Sequence, residues 1–275
     1  MCIRDRLCSR FDISDENNCL KTGYDPLRRE WPQWLSGFGF DTAMLPQVYS
    51  PGSVITYVDA KRARELGLPA HCRLVAGTTD SIAAFIATGA SEAGDAVTSL
   101  GSTLVLKLVS DKPVSSSRLG VYSHRLADTW LAGGASNSGG RVLLKFFEQS
   151  RINEMTPLLE PDRATGLDYY PLLQAGERFP RNDPQLQPRL EPRPDDDVRY
   201  FQAMLEGIAG IEAEGYRALA ALGAPAVKKV FTAGGGSVNP AWRKIRELKL
   251  GVPVVVAEHS EASYGAALRA RRECS

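Results

Sequence analysis

LVAGTTDSIAAFIATGASEAGDAVTSLGSTLVLKLV, Leu74 to Val109, is the stretch from which the fold of this chain is read. An apolar run, Leu74 to Ala76, breaks at Gly77 and turns through Thr78-Thr79-Asp80 into a helix of small residues expected over 81–89. Two strand-like runs follow, joined by Gly101-Ser102-Thr103. Asp80 puts a carboxylate at the strand-to-helix turn. The Gly-Ser-Thr tip lets backbone N–H groups approach an anion, with the neighbouring hydroxyls as further donors. A base beside a phosphate cradle is the equipment for phosphoryl transfer to a hydroxyl. Each device also has an ordinary structural reading, because an Asp at a helix start caps it and Gly-Ser-Thr suits a plain hairpin turn.

A second informative stretch is VKKVFTAGGGSVNPAWRKIRELKLGVPVVVAE, 227–258. It predicts a strand over 229–232, a glycine turn, a helix capped by Asn239 with Pro240 at its first position and Gly251 at its end, and a strand over 254–256. In such units ligands lie at the carboxyl ends of the strands. The chain has no G-x-x-x-x-G-K-[ST], and these glycines are not G-x-G-x-x-G, so P-loop and Rossmann dinucleotide readings are disfavoured.

Together these motifs resemble the FGGY carbohydrate kinases of the actin/Hsp70-like ATPase superfamily, and especially their pentulose (ribulose or xylulose) kinase branch. In that family a segment like VAGTTDS carries the Asp that takes the proton from the sugar hydroxyl, SLGST resembles the second phosphate loop, and GGGSxNPxW resembles the adenosine loop. The resemblance therefore implies Asp80 as the catalytic base. It implies ATP contacts at Gly101, Ser102 and Thr103 and at Gly235, Gly236, Asn239 and Trp242. It also implies an α/β, ribonuclease-H-like fold of the actin/Hsp70 type, mostly domain II with the tail of domain I. The expected divisions are 1–87 (the end of domain I with one hinge helix), 88–260 (the nucleotide-binding domain) and 261–275 (a returning hinge helix crossing the first at Gly265 and Ala266).

The reaction so implied moves the γ-phosphoryl group of ATP to a hydroxyl of a ketopentose. Mg²⁺ would be held mostly by phosphates and water, with no protein ligand set. Family members open with a D-x-G-[TS] strand and turn that has no counterpart here. The chain thus looks like the C-terminal part of a kinase, expected to bind adenine nucleotide weakly and to be inactive by itself. The competing reading is a nucleotide-binding or structural module without transfer activity.

Composition agrees with a small-molecule protein. The 275 residues are 43% hydrophobic and 24% charged with a net charge of +1, so neither a nucleic-acid groove nor an anionic membrane partner is implied. Five scattered cysteines without zinc spacing suit a reducing cytoplasm. No apolar run reaches the length of a membrane span. Met1 to Arg10 is too charged for a signal peptide, and its opening, MCIRDR, resembles that of assembled environmental fragments, so it is left out of the fold reading.

Elsewhere the bland readings prevail. Asp15, Asn17 and Asn18 suit a turn more than a sugar contact. Asn137-Ser138-Gly139-Gly140 is read as a tight turn in preference to an anion site. His124 is read as structural, and Asp195 to Asp197 as complementing the dipole of a helix running to Leu222, with Phe201, Leu205, Ile208 and Ile211 on its apolar face. The proline-rich stretch 150–194 is read as a surface excursion.

Overall fold

The computed structural model describes residues 3–39 and 41–272. In chain order the elements are α1 (Ile3–Cys8), β1 (Ile13–Asp15), α2 (Glu16–Cys19), β2 (Gln47–Tyr49), β3 (Val54–Tyr57), α3 (Ala60–Glu65), β4 (Arg73–Val75) and α4 (Asp80–Ala87). There follow β5 (Asp95–Leu100), β6 (Leu104–Ser110), β7 (Tyr122–Leu126), β8 (Thr129–Ser136), α5 (Gly140–Phe146), α6 (Gln149–Met155), α7 (Asp197–Ala221), β9 (Lys229–Ala233), α8 (Pro240–Leu250), β10 (Val254–Val256) and α9 (Ala262–Arg272). They group into two compact units, one of residues 1–87, 124–128 and 261–275, the other of 88–123 and 129–260.

In the first unit β1 and β2 pair in parallel and β3 pairs with β4 antiparallel. Its main helix pair is α4 against α9. Small residues permit this crossing: a Cβ placed on Gly265 would lie 1.8 Å from the Ala83 carbonyl oxygen. Arg269 Nε and Nη2 both donate to the Pro51 carbonyl, at 2.9 and 2.6 Å, and fix the far end of α9. Of the segment set aside in the sequence reading, Ile3–Cys8 forms α1, and Asp59 N donates to the Leu7 carbonyl at 2.8 Å.

The second unit is built on strands in the order β10-β9-β5-β6-β8. Its first three strands run parallel, while β5, β6 and β8 alternate in direction. β6 alternates as a half-buried strand should at first, then ends fully buried at Leu108 and Val109. Helix α7 lies over this sheet with Phe201, Met204, Leu205, Ile208 and Ile211 all buried. Asp196 caps α7 by accepting from Val198 N at 2.9 Å, and Asp197 pairs with Arg193.

One expectation is corrected. The proline-rich segment is not a surface excursion, because Tyr169, Tyr170, Leu172 and Phe179 enter the main core, with Phe179 seated between Gly134 of β8 and Gly215 of α7. Beyond α6 its prolines exclude long helices and central strands but leave its aromatic side chains free to bury, and burial of large rings outweighs the lack of ladder hydrogen bonds.

Candidate functional site

The parallel register pairs Thr98 with Thr232 and Ser99 with Ala233, so β5 and β9 end at the same edge of the sheet. From those ends emerge Gly101-Ser102-Thr103, the tip of the β5–β6 hairpin, and Gly234-Gly235-Gly236, a short 3-10 turn leading to Asn239 and α8. A third loop meets them. The turn before α5 lies directly on the hairpin tip, with Gly140 N donating to the Gly101 carbonyl at 2.9 Å and Arg141 N to the Ser102 carbonyl at 3.3 Å. Gly139 has φ +147°, and a Cβ there would come within 2.7 Å of the Thr103 backbone, so only glycine fits. Behind this turn Glu177, buried in the proline-rich segment, accepts from Ser136 Oγ at 2.6 Å, Asn137 N at 2.7 Å and Tyr170 OH at 3.1 Å.

The three loops open onto one pocket of about 640 Å³. Gly101, Ser102, Gly235, Gly236, Asn239 and Trp242, all expected from sequence, line it. Thr103 does not, since its backbone lies under Gly139. The pocket's other walls were not foreseen: Gly140, Arg141 and Leu143 from α5, Ile152 and Thr156 from α6 and the residue after it, and Phe201 and Leu205 from α7. One clue to them existed in the sequence, the Asn-Ser-Gly-Gly turn, for which a tight turn was preferred to an anion site.

Two of the expected contacts also have a structural part, the cap at Asn239 as the sequence predicts and the burial of Trp242 beyond it. Asn239 is the α8 cap, its Oδ1 accepting from Trp242 N at 2.9 Å, and its Nδ2 donates to Thr156 Oγ1 at 3.3 Å. Trp242 is 2% exposed and its indole N–H donates to the Leu205 carbonyl at 3.2 Å. It forms the pocket's floor as a packed core residue, and its ring is what a Cβ on Gly236 would strike at 2.5 Å. The pocket is thus apolar in depth and rich in backbone amides at its glycine rim, a lining suited to an aromatic base with an anionic tail.

Asp80 belongs to the other unit, where it is the exposed first residue of α4 and its Oδ1 accepts from Ser81 N at 2.6 Å. The turn preceding it is tied to β1 and α2. Asp15 caps α2 through Asn17 N and Asn18 N, and the Asn17 amide donates to Thr78 Oγ1 at 3.0 Å and to the Arg125 carbonyl at 3.1 Å while accepting from Arg125 N at 3.2 Å. Burial raises the Asp15 pKa despite the bonds from Asn18 and Asn17. Among the described residues no group of three or more His, Cys, Asp or Glu side chains converges, so the donor set contains no carboxylate cage for a divalent ion.

The model of the FGGY family of carbohydrate kinases, C-terminal domain, matches residues 96–274, which include every loop of the pocket. The chain belongs to the FGGY family of carbohydrate kinases. A xylulose kinase of Staphylococcus epidermidis is 27% identical over 98% of this chain and 56% of its own length. A xyloylose kinase from Brucella ovis, known from its crystal structure, is 26% identical with a TM-score of 0.88, over 98% of this chain and 58% of that one. The glycerol kinase of Plasmodium falciparum, crystallised with ADP, shares the fold at 18% identity and a TM-score of 0.83, over 99% of this chain and 56% of that one. This FGGY chain therefore has the actin/Hsp70-like ATPase fold, and it spans about half the length of the relatives it matches. No helix among the described residues is long and apolar enough to cross a membrane.

Proposed function

We propose that the chain contributes the nucleotide-binding side and the catalytic base of an ATP-dependent sugar kinase whose acceptor is a ketopentose. The observation that carries this reading is the convergence of Gly101, Ser102, Gly235, Gly236 and Trp242, drawn from two separated motifs, on a single pocket at the carboxyl ends of β5 and β9. The base of ATP would lie in the apolar depth, and the phosphates would face the backbone amides of the hairpin tip with the Arg141 guanidinium nearby. Asp80 would accept the proton of the attacking sugar hydroxyl, while the donors at the hairpin tip stabilise charge on the transferred group. Magnesium, arriving with the phosphates, would neutralise part of their charge.

The ketopentose assignment is supported by the xylulose kinase relatives, each similar along nearly all of this chain. The roles of 1–87 and 261–275 as the end of domain I and a returning hinge helix belong to the same proposal, as does a cytoplasmic setting. A coupled assay of the purified chain with ATP, Mg²⁺ and D-ribulose, L-ribulose, D-xylulose and L-xylulose, beside an ADP titration, tests the reading. Absence of ADP binding at millimolar concentration would remove the nucleotide role. The alternative, a nucleotide-binding module without transfer activity, is favoured by one observation: all the pocket residues belong to one unit and Asp80 to the other. Because the chain by itself is expected to be inactive on either reading, the expected outcome of the alternative is ADP binding without turnover on any of these sugars in a longer protein that joins this chain to a D-x-G-[TS] segment.

A further inference from the structure

Beneath the pocket lies an ionic network that no surface motif announces. Arg246 of α8 and Glu212 of α7 are 1% and 0% exposed and meet as a two-pronged pair, Nε to Oε2 at 2.6 Å and Nη2 to Oε1 at 2.8 Å. The third guanidinium nitrogen, Nη1, donates to Thr232 Oγ1 at 2.7 Å, and Thr98 Oγ1 donates to Glu212 Oε1 at 2.5 Å. Tyr216 OH lies 2.8 Å from Thr98 Oγ1 and completes the cluster. Burial alone would lower the Arg246 pKa, but the Glu212 carboxylate more than offsets it, so the guanidinium stays charged.

The placement is specific. Thr98 and Thr232 are register partners on β5 and β9, both fully buried, and lie two residues before the end of β5 and one before the end of β9, the strands that lead into the nucleotide loops. Beyond them the two loops touch: a Cβ on Gly234 would lie 2.8 Å from the Leu100 carbonyl oxygen. On the helical side Arg246 is one turn from Trp242, and the Trp242–Leu205 hydrogen bond joins α8 to α7 at the level of the pocket floor. A buried ion pair is a poor device for stability alone, because well-packed apolar side chains in its place are often neutral or better. What the fork-shaped guanidinium supplies is fixed geometry among four elements.

We propose that Glu212, Arg246, Thr98 and Thr232 are positioning residues for the nucleotide pocket, setting the separation of the Gly101 and Gly235 loops and the seat of Trp242. The inference rests on the nucleotide reading above. Removing the tie lets two glycine-rich loops that depend on β5 and β9 for their spacing relax apart, and small misplacements of binding groups cost affinity steeply.

The test uses the 275-residue chain, a fluorescent N-methylanthraniloyl ADP probe, and urea midpoints for each variant. Thr232→Val keeps the shape but loses the acceptor for Arg246, and is expected to weaken ADP-probe binding about tenfold while the protein stays folded. Thr232→Ser, which keeps the hydroxyl, is expected to bind as the parent does. If Thr232→Val does not fold, the double replacement Glu212→Met with Arg246→Met decides by the same criterion, since it leaves no unpaired charge. Parent-like affinity in a folded variant overturns the proposal, and failure of both variants to fold overturns it too by making the network a stability element. A parent chain that does not bind the probe sinks the nucleotide reading first, and that outcome is seen before any variant is made.

Discussion

Asp80 accepts a backbone N–H at the start of α4, so its capping and catalytic roles must be separated by substitution. Asn caps about as well as Asp but takes no proton at neutral pH. In an active enzyme carrying this chain, Asp80→Asn is expected to leave the urea midpoint unchanged and to lower kcat roughly 10²–10⁴-fold. Asp80→Ala should lose the rate and also about 0.5–2 kcal/mol of stability. Near-normal kcat in Asp80→Asn would end the proton-transfer assignment. The adjacent glycines of the second motif also separate: a Cβ on Gly235 meets nothing within 4 Å, whereas one on Gly236 strikes Trp242 and Leu100. Gly235→Val should therefore fold normally and weaken ADP binding by filling space at the rim, while Gly236→Val should lower the urea midpoint as well. Equal midpoints for the two variants would contradict this packing. At this scale the sequence was informative where a motif carries chemistry, as at Gly101 and Gly235, both of which line the pocket. It was silent on Leu143, Ile152 and Thr156, whose contribution is only to stand where two other helices bring them.

The α7–α8 contact shows the same division at the level of elements. Periodicity marked α7, and Asn239, Pro240 and Gly251 marked α8, because these signals depend on neighbours a few residues away, whereas Asp195 to Asp197 were read only as complementing the α7 dipole and the structure makes Asp196 its cap. That Trp242 would be a buried floor, and that Glu212 and Arg246 would meet, depends on how the helices lie over the sheet, and no local pattern encodes that. Trp242→Ala is accordingly expected to cost about 3–5 kcal/mol in unfolding free energy along with nucleotide affinity, so its affinity must be measured well below its urea transition. An unchanged midpoint would show that the indole is not a core residue. The proline-rich segment was misjudged because irregular backbone was equated with exposure. Its Tyr170 has a pKa pushed up by burial and then by Glu177, and Tyr216 is raised by burial and then by Glu212. The neutral phenols favour the folded state. That contribution is complete below the ordinary tyrosine value of about 10 and is lost as pH climbs above it, where the unfolded chain ionises first. The urea midpoint should fall between about pH 9 and about pH 11, and fall less in Tyr170→Phe. A Tyr170→Phe profile identical to that of the parent would contradict this account.

For the molecule as a whole, nucleotide should act on one unit. ADP at about a hundred times its Kd adds about 2.7 kcal/mol to the stability of whatever binds it, so amide exchange should slow across 88–123 and 129–260 and stay unchanged in 1–87. Uniform slowing would argue against a pocket confined to the second unit. The family and the fold were legible at this scale because two motifs in a fixed order identify an architecture even when most walls of the site are invisible. The pairing of α4 with α9 has a further consequence, in the time domain. On the ribosome every residue of the second unit is made before α9 emerges, while Ala83 and Ala87 of α4, which Gly265 of α9 meets in the finished protein, have long since left the tunnel. Residues 1–87 are thus made before the second unit and α9 after it, and until α9 arrives the small-residue face of α4 that it covers stays open to chaperones or to neighbouring nascent chains.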